Sequence, residues 1–209
     1  MHDRHASLLC WAALALFIAG LVAVNINYSR ADRRPPTYDD AWFLENSLIF
    51  HHRLSEGGLR AFLPAYASSF GTKAPLLSVL PLPLYLVFGT SQQTALLVNS
   101  FFVVLSSLYL FLLVRRLFSP AAGLAAVVFY QTMPLAYGLS RAFLADYGLT
   151  ALVIVWLYYL VASEQLSHSL IDLVLGMLLG LGLLMKVLFP AYIVGPLLLT
   201  WWWRRRSGG

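Results

Sequence analysis

The stretch LLCWAALALFIAGLVAVNI, residues Leu8–Ile26, contains no charged side chain and is almost wholly apolar. A helix needs about 20 such residues to cross the hydrocarbon core of a bilayer, so this run predicts a transmembrane helix. A cleaved signal peptide is the alternative. We favour an uncleaved anchor, because the run exceeds the core of about 7–15 residues that is usual in signal peptides and no clear A-x-A site follows it.

The composition of the whole chain is also typical of a membrane protein. Hydrophobic residues make up 60% of the 209 residues and charged residues 11%, whereas soluble domains average about 45–50% and about 25%. The net charge of +5 comes from basic residues scattered between apolar runs. This distribution indicates loop charge and contact with lipid headgroups, and no nucleic-acid partner is expected. Cys10 is the single cysteine, so an intramolecular disulfide is excluded.

Further apolar runs predict additional membrane-spanning helices. They are Thr94–Val114, Ala121–Tyr137, Tyr147–Ala162, Leu170–Met185 and Leu188–Trp203. The run Pro75–Phe88 is short and rich in proline, which breaks the backbone hydrogen-bond ladder, so we expect a re-entrant or interfacial piece there. The predicted fold is an all-α polytopic membrane bundle of about six transmembrane helices, an interfacial helix and this short piece.

The longest polar stretch, residues 27–74, is predicted to form an outer loop that contains a helix. Thr37 and Asp40 fit a T-x-x-D capping box, which starts a helix near Tyr38. Gly57-Gly58 is expected to end it. The apolar side chains of this segment are denser than a soluble surface helix needs, which favours a helix lying along the bilayer surface.

Positive charge predicts the topology. With six spans and a cytoplasmic N-terminus, Arg115-Arg116, the SEQLSHS turn at 163–169 and the cluster Arg204–Arg206 all lie on the cytoplasmic side, as the positive-inside tendency requires. The arginines that follow the first span oppose this assignment. The expected location is the inner cell membrane, crossed several times.

Charged side chains predicted at the outer membrane level are costly there unless they have a function or a partner. They are Asp39, Asp40, Lys73, Arg141, Asp146 and Lys186. A carboxylate can take the proton of an attacking hydroxyl or amine, and cations can neutralise a phosphate leaving group as its bond breaks. The set therefore fits the transfer of a sugar from a polyprenyl phosphate.

A series of motifs, in their order along the chain, also resembles a known family. They are YDDAWF at 38–43, GTKAPLLSVLPLPLYLVFG at 71–89, RRLF at 115–118, RAFLADYGLTALV at 141–153 and GMLLGLGLLMKVLFP at 176–190. The series is similar to the N-terminal half of the polyprenyl-phosphate-dependent glycosyltransferases of the GT-C type, which include protein O-mannosyltransferases and lipid A aminoarabinose transferases.

This resemblance implies roles for individual residues. Asp39 matches the catalytic acid of the family, which acts as the base, and Asp40 matches its acidic neighbour. Lys73 and Lys186 match cations near the donor phosphate, and Asp146 matches a second outer acid. Arg141 is a further candidate for binding the leaving phosphate.

Structural roles are the alternatives for the same residues. The two neighbouring aspartates can stabilise a helix N-terminus through its dipole, and the two lysines can anchor the ends of spans. Arg141 and Asp146 can pair with each other. His52 and Glu56 lie one helical turn apart, but two ligands are too few for a metal site, so we favour a solvated pair. No cofactor is predicted, and a divalent metal is not indicated.

The sequence therefore predicts a membrane glycosyltransferase that moves a sugar from a polyprenyl-phosphate donor to a lipid, glycan or protein acceptor on the outer face. The alternative is a non-catalytic membrane protein, either a truncated fragment or a lipid-binding or flipping subunit. Residues 1–209 are expected to form a single transmembrane module. Family members are more than twice as long, so we expect a fragment, the N-terminal part of a longer enzyme, or a short member that needs a partner subunit.

Overall fold

The computed structural model describes residues 2–163 and 169–207, and within these ranges the chain is all-α, as predicted. The helices are α1 (His2–Ala31), α2 (Tyr38–Ser69), α3 (Leu76–Val79), α4 (Leu82–Phe88), α5 (Gln92–Leu117), α6 (Pro120–Thr132), α7 (Pro134–Leu139), α8 (Ala145–Ala162), α9 (Ser169–Met185) and α10 (Phe189–Ser207). Most of the predicted SEQLSHS turn, residues 164–168, lies outside the described residues.

Three helical stretches among the described residues are long and apolar enough to cross a membrane. They are Ser7–Ala31 within α1, Gln92–Leu117 and Ala145–Ala162. Each contains one of the predicted spans. The predicted span Leu170–Met185 coincides with a shorter apolar helix within α9. The span predicted at Leu188–Trp203 lies in α10 except for Leu188, and this helix contains Pro196.

The predicted span Ala121–Tyr137 is not one helix, and that prediction is wrong. Helix α6 ends at Thr132, and the separate helix α7 begins at Pro134. Met133 between them is extended, with φ −60° and ψ 131°, because the proline ring excludes the preceding residue from the helical region. The 13 residues of α6 rise only about 20 Å, less than the thickness of a bilayer core.

Helix α2 begins at Tyr38 with Thr37 as its N-cap, as the sequence predicts. Gly57-Gly58 does not end the helix, contrary to expectation. The backbone of Gly58 has φ 58° and ψ −155°, and helix resumes beyond it to Ser69. Glycine adopts positive φ without steric cost, so this position allows a kink. The location of α2 along a bilayer surface stays a prediction.

The proline-rich run contains the short helices α3 and α4 and is too short to be among the three long apolar helices of the described residues. Its re-entrant or interfacial location stays a prediction. Pro75 precedes α3 and Pro81 precedes α4. The Ser78 side chain, in α3, donates a hydrogen bond of 2.9 Å to the backbone carbonyl of Phe43 in α2. The short piece therefore packs against the helix of the long loop.

Helices α1 and α5 run antiparallel. At one end the rings of Trp11 and Phe111 have centroids 4.7 Å apart. At the other end the Gln93 side chain donates a hydrogen bond of 3.4 Å to the carbonyl of Asp32. We call this second end, where α1 finishes and α5 begins, the upper end.

Helices α5 and α8 run parallel, so both begin at the upper end. Asn99 of α5 donates a hydrogen bond of 2.7 Å to the Ala142 carbonyl, just before α8. A buried polar network joins α5, α6 and α8 in the interior: Tyr147 donates to the Gln131 side chain at 2.8 Å, and Gln131 donates to Ser107 at 2.8 Å. The helices thus bring the loop after α1, the start of α8 and the end of α9 together at the upper end.

Candidate functional site

A cleft of about 240 Å³ at the upper end is lined by charged side chains from four places in the chain. Asp39 lies in the first turn of α2 and Lys73 in the loop that follows this helix. Asp146 lies in the first turn of α8 and Lys186 directly after α9. We call this the ion-pair cleft. Its remaining lining is mostly apolar and includes Phe43.

The first pair in the cleft joins Lys73 to Asp39, the lysine ammonium donating to the carboxylate. The Lys73 side chain is 26% exposed and that of Asp39 is 55% exposed. The ammonium also lies 5.4 Å from the ring centroids of Trp42 and Phe43. The lysine is placed by the turn after α2, where its backbone N–H donates to the Ser69 carbonyl at 3.1 Å.

The second pair joins Lys186 to Asp146, with 2.6 Å between Nζ and Oδ1. The side chains are 35% and 43% exposed. Asp146 lies at the start of α8, where the helix dipole favours a carboxylate. The Lys186 N–H donates to the Gly182 carbonyl at 2.9 Å, which fixes the residue at the end of α9. Both pairs reach solvent, so a ligand can exchange with either partner.

Four of the predicted site residues therefore meet in one cleft. The alternative pairing of Arg141 with Asp146 is not formed, since Asp146 binds Lys186. The distribution of lysine in the sequence also indicates that this cleft has a specific role, a signal that was missed. Lys73 and Lys186 are the only lysines of the chain, beside twelve arginines.

The other two predicted residues, Asp40 and Arg141, line a larger cavity of about 710 Å³. We call this the Arg141 cavity. Tyr28, Asp32 and Arg34 also line it. Asp39 and Asp40 are consecutive in α2, yet Asp39 lines the ion-pair cleft and Asp40 lines the Arg141 cavity.

The carboxylate of Asp40 is bound to the N-cap of its own helix. The Thr37 hydroxyl donates to Asp40 Oδ2 at 3.1 Å, and the Thr37 backbone also donates to this carboxylate. The predicted capping box is half formed, because the Thr37 side chain makes no bond to a helix N–H. Burial raises the pKa of Asp40, while the bonds from Thr37 oppose the rise. Asp40 Oδ1 is buried and has no hydrogen-bond partner.

Arg141 is fixed by aromatic rings. Its guanidinium carbon lies 3.4 Å from the ring centroid of Tyr137 and 5.1 Å from that of Tyr28. Its Nε is buried without a hydrogen-bond partner. Tyr28 was not among the site residues predicted from the sequence. The signal was the lack of a helix breaker before Pro35, which lets α1 continue past its apolar run to Ala31.

His52 and Glu56 form a pair at the protein surface, with 3.1 Å between Nε2 and Oε2 and both side chains exposed. This geometry is the solvated pair that the sequence analysis favoured. Among the residues that the structure describes, no group of three or more metal-ligating side chains comes together.

Comparison with known families identifies the chain. A family model described as dolichyl-phosphate-mannose-protein mannosyltransferase matches residues 72–207, more than half of the sequence. The chain belongs to this family. Membership supports a membrane glycosyltransferase of the GT-C type, and together with the apolar helices it supports an integral membrane protein. Comparisons with curated proteins and with solved structures found no match.

The match contains three of the four charged residues of the ion-pair cleft, namely Lys73, Asp146 and Lys186. It begins after Asp39 and Asp40. The acidic pair thus lies outside the matched residues, but Asp39 contacts them through its bond with Lys73.

Proposed function

We propose that the protein transfers a sugar from a polyprenyl-phosphate donor to a lipid, glycan or protein acceptor, with Asp39 as the base. The observation that carries the proposal is the meeting of two carboxylate–lysine pairs on one cleft. The partners are 34 residues apart in the first pair and 40 in the second. Membership of a glycosyltransferase family supports this use of the cleft.

The two lysines bind the donor phosphate in this proposal. Each lysine holds a partly exposed carboxylate, and pairs of this kind contribute only about 0–1 kcal/mol. A phosphate group offers more acceptor oxygens and can replace the carboxylate as the partner of the ammonium. As the bond from the sugar to the phosphate breaks, the lysines neutralise the charge that develops on the phosphate oxygen.

Asp39 takes the proton of the acceptor. When the donor phosphate binds Lys73, the Asp39 carboxylate loses its ammonium partner and is free to accept a hydrogen bond from a hydroxyl or amine. The acceptor atom then bonds to the anomeric carbon, the polyprenyl phosphate leaves with the electron pair, and the proton goes to Asp39. Asp146 holds Lys186 in place.

The upper end is placed on the outer face of the inner cell membrane, with the N-terminus cytoplasmic. Helix α10 begins close after Lys186, and its last turns stack Arg205 over Trp201 and Arg206 over Trp202, each at 3.9 Å. Aromatic and basic residues together are typical of a membrane interface, and basic residues favour the cytoplasmic one. Residues 1–209 act as a single module.

The test uses the purified chain in lipid vesicles with a panel of polyprenyl-phosphate-linked sugars and a panel of lipid, glycan and peptide acceptors. Release of polyprenyl phosphate is expected for one donor, and Asp39→Asn should lower the rate by about 10²- to 10⁴-fold, the usual contribution of a general base. Glu45→Gln is the matched control, because Glu45 is an exposed carboxylate on the same helix that lines neither space.

Two results would contradict the proposal. Full activity of Asp39→Asn would exclude this residue as the base. Absence of turnover by the wild-type protein with every donor would favour the alternative, a non-catalytic lipid-binding or flipping subunit.

A further inference from the structure

The Arg141 cavity carries two buried polar atoms without partners, Asp40 Oδ1 and Arg141 Nε. We propose that this cavity binds the acceptor, and that the acceptor is an anionic sugar, bearing either a phosphate or a carboxylate group. Arg141 binds the anionic group and Asp40 accepts a hydrogen bond from a sugar hydroxyl. This inference rests on the proposed function, which supplies the donor at the ion-pair cleft.

The charges in the cavity single out Arg141. Arg34 is already paired, since its Nε and Nη2 donate to the two carboxylate oxygens of Asp32 at 2.9 and 3.2 Å. These two charges cancel each other. Arg141 instead contacts the ring of Tyr137 and leaves Nε unpartnered. A guanidinium that keeps its donors free and its plane fixed matches the flat pair of oxygens of a carboxylate or phosphate.

Asp40 adds a second requirement for the ligand. Its Oδ2 accepts from Thr37, whereas Oδ1 has no donor. A buried polar atom without a partner is unfavourable, so a ligand hydroxyl that donates to it is stabilised there. A bare anion satisfies Arg141 alone, and a neutral sugar offers the guanidinium only a hydroxyl oxygen, which is a weaker acceptor than an anionic oxygen. A sugar with an anionic group satisfies both atoms.

The size and position of the cavity fit an acceptor. Its volume of about 710 Å³ lies within the range of about 300–1,000 Å³ that is usual for small-molecule sites. Asp39 and Asp40 are consecutive residues in the first turn of α2. The cavity and the ion-pair cleft therefore adjoin the same helical turn, with Asp40 on the cavity and Asp39 on the cleft.

The experiment measures binding to the full chain in lipid nanodiscs without any donor. The probes are glucose 1-phosphate, glucuronate, glucose and inorganic phosphate. One of the two anionic sugars is expected to bind at least about tenfold more tightly than both glucose and inorganic phosphate, as hydrogen bonds to a charged group imply. Which of the two binds more tightly identifies the anionic group.

Variants locate the binding. Arg141→Gln should remove the advantage of the anionic sugar, and Arg141→Lys, which keeps the charge, should keep part of it. Arg60→Gln is the control, because Arg60 is an exposed arginine of α2 that lines neither space. Equal binding of glucose and the anionic sugars would overturn the inference, and so would an equal loss in Arg60→Gln.

Failure of the proposed function shows itself differently. It is detected as a lack of polyprenyl phosphate release from every donor, in an assay that contains none of these probes. Selective binding of an anionic sugar with no turnover would support the proposed binding site and exclude the proposed transfer reaction. Turnover with no selective binding would support the proposed transfer reaction and exclude an anionic sugar as the acceptor.

Discussion

Asp39 and Asp40 are neighbours in sequence and have different surroundings. Asp39 is more than half exposed and pairs with a lysine from beyond the end of α2. Asp40 is partly buried and bound to the N-cap of its own helix. Adjacent positions on a helix point in directions about 100° apart, so the two carboxylates can serve two spaces. This difference at the residue scale separates the proposed base from the proposed acceptor contact.

The raised pKa of Asp40 predicts how stability changes with pH. Burial raises it above its ordinary value of 3.8. The folded state then binds the proton more tightly than the unfolded state, so protonation of Asp40 stabilises the fold. This contribution is complete below the unfolded-state pKa and is lost as pH rises through the folded-state pKa. From about pH 4 upward, the free energy of unfolding should fall more for the wild type than for Asp40→Asn, by less than about 1 kcal/mol because solvent screens a half-exposed group.

Thermal unfolding in detergent, followed by tryptophan fluorescence at about pH 4 and about pH 7, measures this difference. Glu45→Gln, at an exposed position of the same helix, should keep the pH dependence of the wild type. Identical pH dependence of Asp40→Asn and the wild type would show that Asp40 does not carry the effect.

At the scale of elements, the contact between α9 and α10 places Lys186. A Cβ atom added at Gly182 would lie 2.2 Å from the ring of Phe189, whereas one added at Gly180 would meet nothing within 4 Å. Gly182→Ala should therefore destabilise the protein by about 1–3 kcal/mol, the usual cost of overpacking. It should also lower donor turnover, because Lys186 lies between the two helices.

Gly180→Ala is the control for this effect, since it makes the same change two residues earlier on the same helix. Its melting temperature in detergent should equal or exceed that of the wild type. A melting temperature for Gly182→Ala as high as that of Gly180→Ala would contradict the packing shown by the structure.

The elements that the sequence predicted well are those determined by local rules. Helix α5 follows from a long uncharged run, and the start of α2 follows from Thr37. The break at Met133 was missed because hydropathy ignores the backbone, although Pro134 was a visible signal. The kink at Gly58 was read as a helix end, since a glycine pair signals a change of direction without showing whether helix resumes.

The pairing of charges belongs to the scale of the whole molecule and could not be predicted. Asp146 lies five residues after Arg141, yet it pairs with Lys186, while Arg141 contacts Tyr137. Both pairs of the ion-pair cleft join residues far apart in the chain. The sequence could indicate which charges lie at the upper end, but their partners depend on how the helices pack.

The orientation of the whole molecule in the membrane can be tested by labelling single cysteines. With Cys10 replaced by alanine, Tyr38→Cys lies at the upper end and Phe118→Cys at the opposite end, directly after α5, and both positions are highly exposed. A membrane-impermeant maleimide added to intact cells should label Tyr38→Cys. It should label Phe118→Cys only after permeabilisation. The reverse pattern would invert the proposed topology.

Both lysines of the chain lie in the ion-pair cleft, and this has a practical consequence. A reagent that acylates primary amines can modify side chains only there, the terminal amine being the other target. The extent of acylation at Lys73 and Lys186, read by peptide mass spectrometry, therefore reports how much of the cleft is occupied. A donor that binds these ammonium groups would protect them, so the protein carries its own probe for screening donors before any transfer assay exists.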